Sequence, residues 1–145
     1  MYTGATPYYH GITGNRFLER KSLRVLPVVD DAKYAGINTN ETASPSNLLV
    51  TTLADELKMA SKGHAYVLSV APERDMAVLA GGHAPNGVLW LSNDEGMWAS
   101  SGYYSGVPAW VRPFNHRVGT IFDWNLVEWE PYYPTGVYSY SVYDG

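Results

Sequence analysis

The stretch SPSNLLVTTLADELKMASKG, residues 44–63, constrains the fold more than any other part of the chain. Ser44 can cap a helix that has Pro45 at its first position, and Gly63 is a typical residue just beyond a helix end. Apolar residues recur at near-helical spacing inside it, at Leu49, Leu53, Leu57 and Ala60. HAYVLSV, residues 64–70, then predicts a short buried strand. A helix followed by a buried strand predicts an α/β fold in which that strand has parallel neighbours.

The whole sequence divides into three parts of one predicted domain. Residues 1–43 consist of turns and loops with one strand-like piece at 23–26, and residues 44–82 hold the helix–strand unit. Residues 83–145 hold a predicted β-hairpin and an irregular, cap-like region rich in Tyr and Trp. The chain is therefore predicted to be a mixed α/β protein with an irregular aromatic C-terminal region.

Further short elements are indicated on either side of the hairpin. Residues 74–80 can form one or two helical turns. GVLWL (87–91) and MWASS (97–101) flank the turn sequence SNDEG, which predicts an antiparallel hairpin. Residues 108–114 can begin a short helix, and VYSYSVY (137–143) has the alternation of a strand.

Composition excludes several classes of partner. At 145 residues with 46% hydrophobic composition, the chain can bury one core. Its net charge is -4 and only 17% of its residues are charged, so it offers no basic field for a nucleic acid polymer or an anionic membrane. No apolar run approaches the roughly 20 residues that a membrane span needs. The four histidines are scattered without metal-ligand spacing and cysteine is absent, so no complete metal site is predicted.

Glu73, Arg74 and Asp75 are candidate ligand-binding residues because they lie between a predicted strand and a pair of glycines. In α/β proteins the carboxyl ends of strands are where ligands bind. The other interpretation is a solvated loop and helix start, where acidic residues suit the positive end of the helix dipole. The residues themselves leave both interpretations open.

Four strings occur in an order that is specific when they are taken together: YTGATPYYHGITGN (2–15), SPSNLLVTTLADEL (44–57), GGH (81–83) and YYSGVPAWVRPFN (103–115). They closely resemble the alkaline phosphatase superfamily, in particular the bacterial alkaline phosphatases similar to type I phosphodiesterases and nucleotide pyrophosphatases. The resemblance extends to about Pro131 and implies a partial alkaline-phosphatase-like fold.

The resemblance implies a zinc-dependent phosphoric ester hydrolase that is exported to the periplasm. In that family a threonine nucleophile precedes the first string, and the Asp/His ligands of two zinc ions lie on both sides of the region matched here. We therefore expect an internal fragment that is inactive alone, binds no zinc itself and can self-associate. Asn15 matches the asparagine whose amide contacts a nonbridging phosphoryl oxygen, and His10 and Gly11 are expected to shape its loop.

A departure from the family pattern bears on the substrate. The monoesterase members carry Lys-x-Arg just after the strand that corresponds to residues 64–70, whereas this chain has Glu73, Arg74 and Asp75 there. Only Arg74 could serve as a cation, and the two carboxylates would repel a dianionic monoester. This pattern favours a phosphodiester, a pyrophosphate-type bond or another phosphate ester over a simple monoester.

A second hypothesis treats the chain as a noncatalytic module that binds carbohydrate or protein through its aromatic residues. Those residues are Trp90, Trp98, Tyr103, Tyr104, Trp110, Trp124, Trp129, Tyr132 and Tyr133. Aromatic side chains also bury large areas, so packing inside a core is the competing explanation for the same residues.

Overall fold

The computed structural model of the chain describes residues 2–20, 22–104, 106–119 and 130–133. The helices in these ranges are α1 (Pro7–His10), α2 (Leu53–Ala60), α3 (Arg74–Gly81) and α4 (Val111–Val118). The strands are β1 (Arg16–Glu19), β2 (Arg24–Pro27), β3 (Gly36–Ile37), β4 (Leu68–Ala71), β5 (Gly87–Leu91) and β6 (Trp98–Ser101). The predicted strand at 137–143 and the residues Trp124 and Trp129 lie outside the described residues.

Two sheets are present in the described part of the chain. Strands β1 and β2 form an antiparallel pair, and the larger sheet has the order β3-β6-β5-β4. Strands β4 and β5 are parallel, with Leu68 opposite Gly87 and Ala71 opposite Trp90. Strands β5 and β6 are antiparallel, with Trp90 opposite Ala99. The predicted α/β class, the parallel neighbour and the hairpin are all confirmed.

The core lies where α3 crosses between β4 and β5. Ala77 and Val78 of α3 are fully buried, as are Val88, Leu89 and Trp90 of β5. The Ser69 hydroxyl of β4 donates to the Ala77 carbonyl at 2.7 Å, which fixes the helix on the sheet. Burying an aliphatic side chain of this size contributes about 1.5–3 kcal/mol, so this unit is the most strongly stabilised part of the fold.

Helix α2 begins later than the sequence predicted. Its N-cap is Thr52, whose hydroxyl accepts from the Asp55 amide while the Asp55 carboxylate accepts from the Thr52 amide. Ser44 is not a helix cap, because its hydroxyl bonds to Asp31 and Ser46 in an irregular segment. The Thr-x-x-Asp sequence satisfies two amide groups at once, which the Ser-Pro pair cannot do here.

The predicted apolar face of this helix is not a core face in the described structure. Leu49, Leu53 and Leu57 are 70%, 72% and 52% exposed, and Ala60 is also exposed. The predicted strand at 64–70 is likewise shifted, since β4 starts at Leu68 and lies at the end of the described sheet. Its Val70 is 50% exposed.

We predict that alanine substitutions separate the core from this exposed face. Leu89→Ala should lower the free energy of unfolding by about 2–5 kcal/mol, since Leu89 is fully buried and the substitution leaves a cavity. Leu57→Ala should change it by no more than about 0.5 kcal/mol, because half of its side chain already faces water. Urea denaturation followed by tryptophan fluorescence measures both, and an equal loss in the two variants would contradict this assignment.

Candidate functional site

A cavity of about 270 Å³ brings together residues that are far apart in the sequence. It is lined by Tyr2, Thr3, His10, Ile12, Asn15, Leu48, Glu73, Asp75, Met76 and Leu79. Asn15 comes from the loop that enters β1, and Glu73 and Asp75 come from the start of α3, directly after β4. Three of the four candidate site residues therefore share one cavity.

The loop that carries Asn15 has a fixed shape. Helix α1 ends at Gly11, which has φ 79°, and a Cβ there would lie 2.9 Å from the Leu49 side chain. The His10 carbonyl accepts from the Leu49 amide at 3.1 Å, and its Nδ1 accepts from the Ile12 amide at 3.1 Å. Left-handed backbone and close approach both require glycine here. His10 and Gly11 thus hold the loop against the segment before α2.

Asn15 is anchored through its backbone while its side chain stays available. Its carbonyl accepts from the Val28 amide at 2.9 Å, which extends the β1–β2 pairing by one bond. The residue is exposed, and among the described residues no group makes a hydrogen bond to its side-chain amide. A positioned amide with unused donors at the edge of a cavity can bind an anionic oxygen.

Glu73 and Asp75 present carboxylates to the same cavity. Glu73 is the N-cap residue of α3, but its side chain makes no capping bond. Within the part of the chain that the structure describes, its exposed carboxylate has no ion pair either. Asp75 accepts from the Arg74 Nε at 3.2 Å, so its charge is partly offset.

The fourth candidate, Arg74, is held away from this cavity. Its Nη1 donates to the Thr42 carbonyl at 3.1 Å and approaches the Asp30 carboxylate at 3.4 Å. Its side chain is only 13% exposed, and it is not among the described residues that line the cavity. The guanidinium ties α3 to the segment before α2 and steadies Asp75.

The buried carboxylate of Asp55 is connected to the cavity lining through hydrogen bonds. Asp55 accepts from the His83 amide at 2.9 Å and the Ala84 amide at 2.8 Å, in addition to the Thr52 amide. The His83 ring connects Asp55, at 3.2 Å from Nδ1, with the Leu48 carbonyl, at 3.0 Å from Nε2. Because Leu48 lines the cavity, this chain of bonds sets the position of that wall.

The ionisation of Asp55 reflects two opposing effects. Burial alone would raise its pKa, but hydrogen bonds from the Thr52 and Ala84 amides, the His83 ring and the Thr52 hydroxyl outweigh burial. The net result is a pKa below the ordinary value of 3.8. Several donors to one carboxylate stabilise its charged form.

Sequence reasoning missed much of this site. The apolar wall residues Ile12, Leu48, Met76 and Leu79 had no recognisable pattern, because they come from three separate segments. Asp55 could have been found, since Thr52-Leu53-Ala54-Asp55 has the spacing of a capping box.

The aromatic residues do not form one surface. Trp90 is fully buried and Tyr104 is 5% exposed, whereas Trp110 and Tyr132 are 48% and 89% exposed. Burial raises the pKa of the Tyr104 hydroxyl, which donates to the Gly82 carbonyl at 3.2 Å. The buried members pack in the core, as expected of large aromatic side chains.

No protein-family profile matches the chain. Over 99% of its length it is 38% identical to alkaline phosphatase PhoV of Synechococcus elongatus and, over the same share, 32% identical to a calcium-transporting ATPase of Myroides odoratus. It is 30% identical over 81% of its length to alkaline phosphatase PafA of Elizabethkingia meningoseptica. The chain spans 27%, 27% and 22% of these three relatives.

Solved structures agree with the sequence relatives. Wild-type PafA superposes with a TM-score of 0.82 at 27% identity, covering 95% of this chain and 27% of that one. A PafA variant with four substitutions gives a TM-score of 0.87, covering 99% of this chain and 28% of that one. The chain belongs to the alkaline phosphatase superfamily. Its α/β elements form a part of the alkaline phosphatase fold.

Alkaline phosphatase relatives suggest metal cofactors, but the described residues do not provide a metal site. No group of three His, Cys, Asp or Glu side chains that could hold an ion occurs among them. A structural zinc needs four ligands and a catalytic zinc needs three, so the described residues do not fit the two zinc ions of the resemblance.

Among the helices that the structure describes, none has the length and apolarity to cross a bilayer.

We predict that Asp55→Asn destabilises this chain by about 1–3 kcal/mol at pH 7, because the new amide group would face hydrogen-bond donors. The depressed pKa means that the charged form contributes stability above pH 3.8, and that this contribution is lost as the pH falls through the lower folded value. The difference between wild type and variant should therefore be constant near neutrality and shrink below about pH 4.

Urea denaturation at several pH values measures this difference. Glu56→Gln is the matched control, because Glu56 is an exposed acid on the same helix and should change stability by less than about 0.5 kcal/mol. A gap between wild type and Asp55→Asn that stays unchanged down to pH 2 would show that the carboxylate charge is not what stabilises the fold.

Proposed function

We propose that this chain forms the phosphoryl-binding wall of a phosphoric ester hydrolase, in which the Asn15 amide donates to a nonbridging phosphoryl oxygen. Three observations support the proposal. The chain belongs to the alkaline phosphatase superfamily, its Asn15 amide is free of protein partners among the described residues, and that residue lines a cavity. The free amide at the cavity is the observation that carries it.

The chemistry of phosphoryl transfer suits such a group. Negative charge is spread over the equatorial oxygens in the transition state, and catalysis depends on positioning and on donors aimed at those oxygens. The Asn15 backbone is fixed by its bond to Val28, and the preceding loop is fixed by Gly11 and His10. A fixed backbone limits the positions that the side-chain donor can take, which lowers the reorganisation needed when charge develops.

The carboxylates of Glu73 and Asp75 favour particular phosphate esters. A monoester carries two negative charges near neutral pH, whereas a phosphodiester carries one. Two like charges about 4 Å apart repel by about 4 kcal/mol at the effective dielectric near a protein surface. Under this proposal a diester or a pyrophosphate-type bond is a better substrate than a simple monoester.

The proposal assigns the remaining chemistry to polypeptide outside these 145 residues. The threonine nucleophile and the ligands of two zinc ions, which the resemblance implies, have no counterpart in the described residues. The chain spans only 27% of the PhoV relative, which leaves room for them in a longer protein. Export to the periplasm and self-association of the isolated chain belong to the same proposal.

Asn15 can be tested directly in the 145-residue chain. We predict that dimethyl phosphate shifts the side-chain amide signals of Asn15 in a saturable way in a heteronuclear NMR titration. Asn40 is an internal control, because its Nδ2 already donates to Asp94 at 3.0 Å. If the Asn15 signals stay in place while the ligand reaches high concentration, the proposed phosphoryl contact is wrong.

The effect on catalysis requires a longer protein that contains this segment. There, Asn15→Ala should lower kcat/KM for a phosphodiester by about 10²–10³-fold, the usual loss for one transition-state donor. Asn40→Ala serves as the control for general effects of losing an amide. A loss confined to KM, with kcat unchanged, would indicate ground-state binding rather than transition-state stabilisation.

The 145-residue chain alone should not hydrolyse nitrophenyl phosphate or its diester when zinc is added. The reason is that the described residues hold no group of three metal-ligating side chains. A colorimetric assay on protein purified to homogeneity measures this. Zinc-dependent turnover that Asn15→Ala abolishes would show that the chain contains a complete site.

A further inference from the structure

We propose that the cavity selects phosphodiesters whose ester group carries a positively charged nitrogen, with Glu73 and Asp75 as the residues that recognise the cation. The inference rests on the proposed function, since it assumes that the phosphoryl group lies against Asn15. It goes further by assigning a chemical class to the part of the substrate beyond the phosphorus.

The carboxylates that line the cavity are not balanced by a lysine or arginine in the described part of its lining. Glu73 and Asp75 both line it, and its lining among the described residues includes no Lys or Arg. Arg74, which lies between these two residues in the sequence, is engaged by Asp30 and by the Thr42 carbonyl, and it offsets Asp75 only in part. The Glu73 carboxylate has no partner among the described residues. A cationic group on the ligand would supply the missing positive charge.

The remaining walls suit an alkylated ammonium group. Ile12, Leu48, Met76 and Leu79 line the same cavity with apolar surface, and Tyr2, which is 49% exposed, adds an aromatic ring to the lining. Apolar contacts favour the methyl groups of a quaternary ammonium, and an aromatic face attracts its charge. A strongly hydrated metal cation would find no such advantage there.

The volume also limits the ligand. Pockets for drug-sized molecules span about 300–1,000 Å³, and this cavity, at about 270 Å³, is below that range. It has room for a phosphate with a short aminoalkyl or choline-like group.

Two diesters that differ only in charge test the inference on the 145-residue chain. Methyl phosphocholine carries a quaternary nitrogen, and methyl 3,3-dimethylbutyl phosphate has a carbon atom in its place. We expect the choline diester to bind at least tenfold more tightly at low ionic strength, as measured by NMR titration with the Asn15 amide signals as the readout. The ratio should fall as salt is added.

Two variants that each remove one carboxylate charge test whether Glu73 causes the preference for the choline diester. Glu73→Gln keeps the size of the side chain and disturbs no hydrogen bond in the described structure, so the tenfold ratio should fall to about threefold or less. Glu95→Gln removes the same charge from the exposed turn between β5 and β6 and should leave the ratio unchanged. Equal effects of the two variants would mean that overall negative charge, and not this cavity, attracts the cation.

The outcomes separate this inference from the proposed function. If both diesters bind equally and both shift the Asn15 signals, the cation preference is wrong and the phosphoryl contact stands. If neither diester shifts those signals, the phosphoryl contact is wrong and the inference fails with it. If the choline diester binds without affecting Asn15, the cation is recognised at another place.

Discussion

The Asp55 carboxylate is the interaction on which the rest of this structure depends. Its two oxygens accept from the Thr52 amide at the start of α2, and from the His83 and Ala84 amides just after α3. One buried group therefore joins two helices whose sequences are separated by a strand. A buried charge is tolerated only when donors surround it, so the loss of any one donor weakens the junction. The His83 ring carries the connection on to Leu48, which lines the cavity.

The same junction explains one member of the glycine pair at the end of α3. Gly82 has φ 72°, and a Cβ there would collide with the Asp55 carboxylate and the Thr52 hydroxyl. Gly81 has a different reason, since a Cβ there would lie 2.9 Å from Val88 and 3.0 Å from Ser69 of the flanking strands. One glycine thus admits the carboxylate and the other lets α3 approach the sheet. A side chain at Gly82 would disrupt the hydrogen bonds of Asp55, and a side chain at Gly81 would push α3 away from the sheet.

Several elements of the fold could be predicted because their determinants are local. The hairpin of β5 and β6 follows from two short, largely apolar runs around a polar turn, and α3 follows from a short periodic run before glycines. The sequence predicts the start of α2 too early in the chain. Ser44-Pro45 can begin a helix only if the Ser44 hydroxyl is free to cap it, and here that hydroxyl donates to Asp31. The periodic leucines at 53 and 57 correctly predict a helix, but they wrongly predict that its apolar face is buried. Periodicity shows that a face is apolar, and it does not show what covers that face.

The sequence suggests residues for the candidate site but not their arrangement. Asn15 is suggested by the family resemblance, and Glu73 and Asp75 by their place after a predicted strand, yet nothing in their spacing shows that a loop before β1 and a turn after β4 border one cavity. Arg74 shows why the geometry matters: by position it is the residue to bind an anion, but Asp30 and the Thr42 carbonyl compete for its guanidinium. With that cation engaged, Glu73 and Asp75 make the cavity that Asn15 lines acidic. The charge of the cavity is thus set by a partner that lies more than forty residues away in the sequence, and recognition at this site depends on the folded chain as a whole.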